Sequence, residues 1–272
     1  YGGMGIPAMG GPGCALASMI ISWLWFTAGA AILMRNPAYK PFKIFTQFSP
    51  PNRARLWALI RLGVPMGFTY LIEITSFTLM AIFIAQLGTV VLAGHQIAAN
   101  LGAVAYMVPL SLSIATSTLA AQSIGARDRT AARRISLNGI KLAVICAAIV
   151  GAAVLMLRHD LASLYTHDAA VLAIAVPLLP FIAFYQMFDA LQVMAAFILR
   201  AYKIALIPTV IYALSLWGVG LGGGYVLGFG LLGDGAAALR GAAGFWAANG
   251  LSLMVAGALL VSYFNRVSRT AD

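Results

Sequence analysis

The chain has 272 residues, of which 62% are hydrophobic and only 9% charged, with a mean hydropathy of +0.93. Ordinary soluble domains carry roughly a quarter charged residues, so a soluble globular protein is excluded and an integral membrane protein is indicated. The net charge of +10 would point to nucleic acid in a soluble protein, but the placement of the basic residues gives it another meaning.

The opening stretch, YGGMGIPAMGGPG, is rich in Gly and Pro, lacks an initiating Met and has no basic stretch ahead of an apolar segment. It is expected to be a loop cut from a longer protein, with no signal peptide. Apolar runs then follow at about 14–34, 62–86, 91–122, 137–157, 171–199, 204–229 and 242–264, each long enough to cross a ~30 Å hydrocarbon core as a helix. The fold class expected is therefore an all-α integral membrane protein, a helical bundle with about seven transmembrane helices.

Between the first two runs lies RNPAYKPFKIFTQFSPPNRARLWALIR, a long, basic, proline-containing connection, whereas later connections are short. It reads as a linker between two units. The expected division is 1–34, a loop and one helix that end a first lobe; 35–60, a cytoplasmic linker; and 61–272, a six-helix second lobe.

Basic residues alternate by connection. Arg35, Lys40, Lys43, Arg53, Arg55 and Arg61 surround the first, and Arg127, Arg129, Arg133, Arg134 and Lys141 the third. Arg200 and Lys203 mark the fifth, Arg266 and Arg269 the tail; Arg158 and Arg240 alone fall on the other connections. Thus 15 of the 17 Lys and Arg lie on one side of a seven-span chain. The positive-inside rule makes that side, and the C-terminus, cytoplasmic.

Within the spans, CAAIVGAAV and WGVGLGGGYVLGFG supply small residues that let helices approach closely in lipid. The glycine-rich run lacks a following Gly-Lys-Ser/Thr, so it is no nucleotide loop. Cys14 and Cys146 sit inside apolar runs with no ligand spacing and read as small apolar residues. Pro65, Pro109, Pro177, Pro180 and Pro208 lie within spans, where each removes a backbone hydrogen bond and favours hinged helices.

Two acidic residues stand where water is absent. Asp128, Asp160, Asp168, Asp234 and Asp272 fall in connections or the tail, but Glu73, the sole glutamate, and Asp189 fall inside spans. At 1.5 Å rise per residue Glu73 lies ~16 Å and Asp189 ~15 Å from the cytoplasmic ends of their helices, so both reach the midplane at matching height. Thr69, Tyr70, Ser76 and Phe77 share a helix face with Glu73, while Tyr185, Gln186 and Gln192 stand within a turn of Asp189. A third span adds His95, Gln96, Asn100 and Tyr106. The expectation is a polar cavity of carboxylates, amides and aromatic rings, with His95 a satisfied residue near the outer interface.

No Lys or Arg lies at the depth of the two carboxylates in the sequence, so a simple salt bridge is not expected. Two readings remain: groups that tie helices together by hydrogen bonds, or a site that takes a proton or a cation. Tyr70, Asn100, Tyr106, Tyr185 and Gln192 are the candidates to complete such a cavity. Glu73 and Asp189 would hold sodium if sodium is the ion, and aromatic rings would attract a cationic substrate. This is the chemistry of an antiporter; nothing in the sequence points to covalent catalysis, an enzyme or an organic cofactor.

Five stretches, RLGVPMGFTYLIEITSFTLMAIFIAQLG, AGHQIAANLGAVAYMVPLSLSIATS, QSIGARDRTAARR, LYTHDA and YQMFDALQVMAAFILRAYK, resemble the multidrug and toxic compound extrusion (MATE) family, in particular its bacterial NorM-like branch. The resemblance covers about residues 61–203 in the family's order. It implies a twelve-helix, two-lobed exporter, of which this chain would hold helix six, the inter-lobe linker and helices seven to twelve. It carries the cation-coupling roles of that family onto Glu73 and Asp189, and that of the associated aromatic onto Tyr106. The implied function is secondary antiport of cationic amphipathic compounds against sodium or protons across the bacterial cytoplasmic membrane. Its partners would be small cationic drug-like substrates, the lipid bilayer and the N-terminal lobe of the same transporter, with no nucleic acid. Without that lobe the chain is expected not to transport, since alternating access needs two lobes about a shared cavity.

Two other functions fit parts of the sequence. A lipid-linked precursor flippase of related fold would want basic residues in its central cavity to meet phosphate, and these lie at the cytoplasmic edge instead. A seven-helix receptor or photoreceptor fits the topology, but the last span has no mid-depth lysine for a retinal Schiff base.

Overall fold

The computed structural model describes residues 10–37, 39, 50–231, 233 and 239–270, and among these every regular element is helical. Seven helices among them are long and apolar enough to cross a membrane. The chain divides into two compact units, Tyr1–Leu56 and Trp57–Asp272.

The first unit contains α1 (Gly10–Arg35). The hydroxyls of Ser18, Ser22 and Thr27 donate to the carbonyls of Cys14, Ser18 and Trp23 at 3.0, 2.8 and 2.9 Å. Polar side chains are thereby satisfied within the helix itself, as a lipid environment requires.

Helix α2 (Arg53–Ala85) starts well before its apolar run. Pro50 and Pro51 cannot extend a helix backwards, and the Asn52 side chain accepts from the amides of Ala54 and Arg55 at 3.0 and 3.2 Å. A capped amphiphilic turn therefore precedes the apolar stretch, and residues 53–60 of the expected linker are helical. The rest of that linker at 38 and 40–49, with Lys40 and Lys43, lies outside the described residues, as do the opening loop at 1–9, Asp234 and Asp272.

The second unit continues with α3 (Thr89–Gly125), α4 (Arg129–Met156), the short α5 (Arg158–Ser163), α6 (Ala169–Ala201), α7 (Leu206–Gly228) and α8 (Ala242–Thr270). Hydropathy alone starts α4 too late. Asp128 accepts from the amide of Ala131 at 2.8 Å and caps a helix whose first turns carry Arg129, Arg133 and Arg134. Asp168 does the same for α6 through Ala170 at 2.8 Å. These connection aspartates are helix caps.

Helix α6 is the axis of the unit, packed against α3, α4 and α8. Leu179, Ile182, Met194, Ile198 and Leu199 are wholly buried along it. Glycine sets the close approaches. A Cβ on Gly151 of α4 would fall 2.6 Å from the carbonyl oxygen of Ala183 in α6, and one on Gly139 would fall 2.4 Å from the Thr116 methyl in α3. In the glycine-rich run of α7, Gly224 and Gly228 leave room for the Phe245 ring of α8. Both small-residue stretches thus supply helix contacts. The middle of α7, Ala213–Gly222, is a π-helix. Its wider turn changes which side chains face α8, a feature no apolar periodicity reveals.

Helices run unbroken through Pro65, Pro109, Pro177, Pro180 and Pro208. At Pro65, α2 is tied to α7. Thr209 donates to the Pro65 carbonyl at 2.8 Å and lies 2.9 Å from the Thr69 hydroxyl. Higher on the same pair of helices, the Trp217 indole N–H donates to the Thr75 hydroxyl at 3.1 Å. Whereas α3, α4, α6 and α8 pack by close backbone approach, α2 is joined to its neighbours by such side-chain links. Thr209→Val should therefore lower thermal stability in detergent by about 0.6 kcal/mol, the usual size of an interhelical hydrogen bond in a membrane protein.

Candidate functional site

Three helices place polar side chains around one cavity of about 460 Å³. From α2 come Tyr70, Glu73, Ile74, Phe77 and Thr78, a stripe at helical spacing. From α3 come Ala99, Gly102, Ala103, Tyr106 and Leu110, and from α6 Tyr185 and Asp189. The two carboxylates that the sequence places at equal depth therefore line the same space, within electrostatic range of each other.

Their surroundings differ. Asp189 is 7% exposed and accepts from the Gln192 amide nitrogen at 3.0 Å. Glu73 is half-buried on the more loosely attached α2. Hydrogen bonding to the Gln192 amide orients the Asp189 carboxylate. Tyr212 of α7, 2% exposed, lies within electrostatic range of Glu73, Tyr106 and Asp189.

The wall behind the cavity is aromatic. Tyr185 stacks on Trp246 of α8, with ring centroids 5.7 Å apart and planes inclined by 25°. His95 lies 5.6 Å from the same indole, its ring tilted by 53°. Gly102 makes room for this arrangement, because a Cβ there would fall 2.6 Å from the Tyr185 hydroxyl.

Of the residues singled out in the sequence, Tyr70, Glu73, Tyr106, Tyr185 and Asp189 come together. Gln192 does not line the cavity; it is 1% exposed and acts on it through Asp189. Asn100 lies elsewhere. It is one residue past the stripe that runs through Ala99, Gly102, Ala103 and Tyr106, so a helix turns it about 100° away. There it is exposed and accepts from the Tyr165 hydroxyl at 2.8 Å. His95 is 2% exposed and packed on Trp246, and its Nδ1 has no hydrogen-bond partner among the described residues, so it is not the satisfied residue the sequence suggested.

One basic group comes closer to the carboxylates than its place in the sequence suggests. Arg200 belongs to the last turn of α6, but its long side chain folds back so that a guanidinium nitrogen lies 3.3 Å from the Tyr70 hydroxyl. Glu73 lies one turn along from Tyr70, within electrostatic range of that guanidinium. Sequence position places an arginine Cα, whereas its flexible stem sets where the charge goes. Trp246, Tyr212 and Gly102 escape sequence reasoning because only packing against α6 or the cavity distinguishes them from other apolar residues.

Comparison with known proteins gives concordant findings. A family model described as MatE matches residues 65–226. The chain is 40% identical over 259 residues to a probable multidrug resistance protein NorM of Aromatoleum aromaticum, covering 95% of this chain and 56% of that protein. It is 36% identical over 228 residues to the multidrug resistance protein PmpM of Pseudomonas aeruginosa, covering 84% of this chain and 48% of that one. Among solved structures it is similar in fold to the eukaryotic MATE transporter AtDTX14, with a TM-score of 0.81 at 18% identity over 95% of this chain and 57% of that chain. The chain spans about half the length of the curated relatives it matches.

Proposed function

Since the chain belongs to the MatE family, we propose that it carries the ion-coupling lobe of a secondary multidrug efflux antiporter. In this reading α1 ends a first lobe and the helices from α2 to α8 form the second. The transporter sits in the bacterial cytoplasmic membrane with its basic connections and C-terminus in the cytoplasm. It exports small cationic amphipathic compounds in exchange for sodium or protons.

The observation that carries the reading is the placement of Glu73 and Asp189 on one cavity with Tyr70, Tyr106 and Tyr185. A carboxylate withdrawn from water is stabilised by a proton or by a metal cation, and either can be exchanged for the other or for an organic cation. The donor set suits a hard cation, since both carboxylates and the phenolic hydroxyls offer oxygen. Aromatic faces and the aliphatic lining favour flat, lipophilic cations. Binding of ion and substrate to one carboxylate pair is mutually exclusive, and that competition is the basis of antiport. Exchange across the membrane then needs the two lobes to rock about the shared cavity.

The test is transport by the full-length protein in vesicles, with a sodium gradient or a pH gradient imposed separately. One gradient should drive export of a fluorescent lipophilic cation and the other should not, unless either ion serves. Export indifferent to both gradients would exclude antiport.

A further inference from the structure

Below the cavity, toward the basic end of the bundle, lies a second and more open cavity of about 600 Å³ lined by Met66, Ser117, Gln122, Phe197 and Arg200. Tyr70 lines both. The Arg200 guanidinium stands at this junction, 4.6 Å from the centroid of the Phe197 ring and 5.2 Å from that of Tyr70, with a nitrogen 3.3 Å from the Tyr70 hydroxyl.

We propose that Arg200 is a built-in competitor for cations: held by Phe197 where the two cavities meet, it covers the Tyr70 ring that an organic cation entering from the basic end would need. A planar cation over aromatic rings and near a carboxylate is the chemistry by which the cavity would bind a lipophilic cationic substrate. Glu73 lies one helical turn from Tyr70 and interacts electrostatically with Arg200. An arriving cation must therefore displace the guanidinium from the Tyr70 ring before it reaches Glu73. Arg200 then acts as a specificity-determining residue, admitting ligands whose charge and aromatic surface exceed what it gives up. Its position at the end of a long stem lets it withdraw toward the membrane surface without movement of α6.

This inference rests on Glu73 being a cation-binding carboxylate, and one set of measurements separates the two claims. Equilibrium dialysis of ethidium, a planar lipophilic cation, against the purified full-length protein in detergent gives its Kd. Arg200→Gln should tighten binding by about three- to ten-fold. Phe197→Leu removes the nearer ring from Arg200 without altering the lining of the upper cavity, and should tighten binding by about two- to three-fold, the value of one partly exposed cation–π contact. A merely structural role for Arg200 would weaken binding in both variants, and either unchanged or weaker binding overturns the proposal. Should Arg200→Gln fail to fold, Phe197→Leu decides by the same criterion. Wild-type protein that does not bind the probe, or binds it equally well after Glu73→Gln, removes the cation site and the inference together. Glu73-dependent binding that Arg200→Gln leaves unchanged removes the inference alone.

Discussion

Asp189→Asn, made in the full-length protein, is expected to lower gradient-driven export of a lipophilic cation by about 10–100-fold, the factor corresponding to 1.5–3 kcal/mol of charge-assisted interaction. The side chain keeps its shape, and its amide oxygen can still accept the Gln192 N–H that now lies 3.0 Å from Asp189. What disappears is the negative charge in a site that is 7% exposed. Folding should therefore survive, and thermal stability should hold or rise, since an uncompensated buried charge is costly. Glu73→Gln is expected to act in the same direction. If either substitution leaves export and its ion dependence intact, the coupling role of that carboxylate is wrong. Asn100→Ala supplies the contrast: it faces Tyr165 away from the cavity, and transport should stay within about two-fold of wild type, as for substitutions remote from functional and packing features.

Gly151→Ala is expected to destabilise the bundle by about 1–3 kcal/mol, the usual range for overpacking a close interface. The added methyl would lie 2.6 Å from the Ala183 carbonyl oxygen, a backbone atom that cannot rotate aside. Relief requires α4 and α6 to separate, and α6 carries Tyr185 and Asp189 just beyond the contact. Loss of thermal stability in detergent should therefore accompany weaker cation binding. On the same helix Ile149 is 64% exposed, and Ile149→Ala should shift stability by less than about 0.5 kcal/mol. Equal effects from the two substitutions would mean that the α4–α6 approach is not a stability determinant.

The differing fates of Glu73 and Asn100 mark how far a sequence carries a site. Charge in lipid is so costly that a lone carboxylate in an apolar run is informative wherever it falls. Depth follows from a fixed rise per residue, so matching Glu73 with Asp189 needed only counting. Amides are cheaper to bury and have more than one use. Asn100 and Gln192 have comparable polarity, but one bonds Tyr165 on an exposed face and the other anchors Asp189 from behind. Helical phase separates Asn100 from Tyr106, but choosing the inward phase requires knowing where α6 lies.

By itself the sequence determined that this protein lives in a membrane, how many helices are long and apolar enough to cross it, which connections are basic, and that two carboxylates fall inside apolar runs. Those follow from transfer free energies and helix geometry, which act on each segment independently of its neighbours. Only the tertiary structure decided that Tyr70, Tyr106 and Tyr185 join the two carboxylates around one cavity, that Trp246 backs Tyr185, and that Arg200 turns inward to Tyr70. Capped turns at Asn52 and Asp128 carried helices past their apolar limits, and a π-helical segment reset the face of α7. These depend on close packing between segments distant in sequence and on the reach of long side chains, neither of which has a period that a single strand of letters can display.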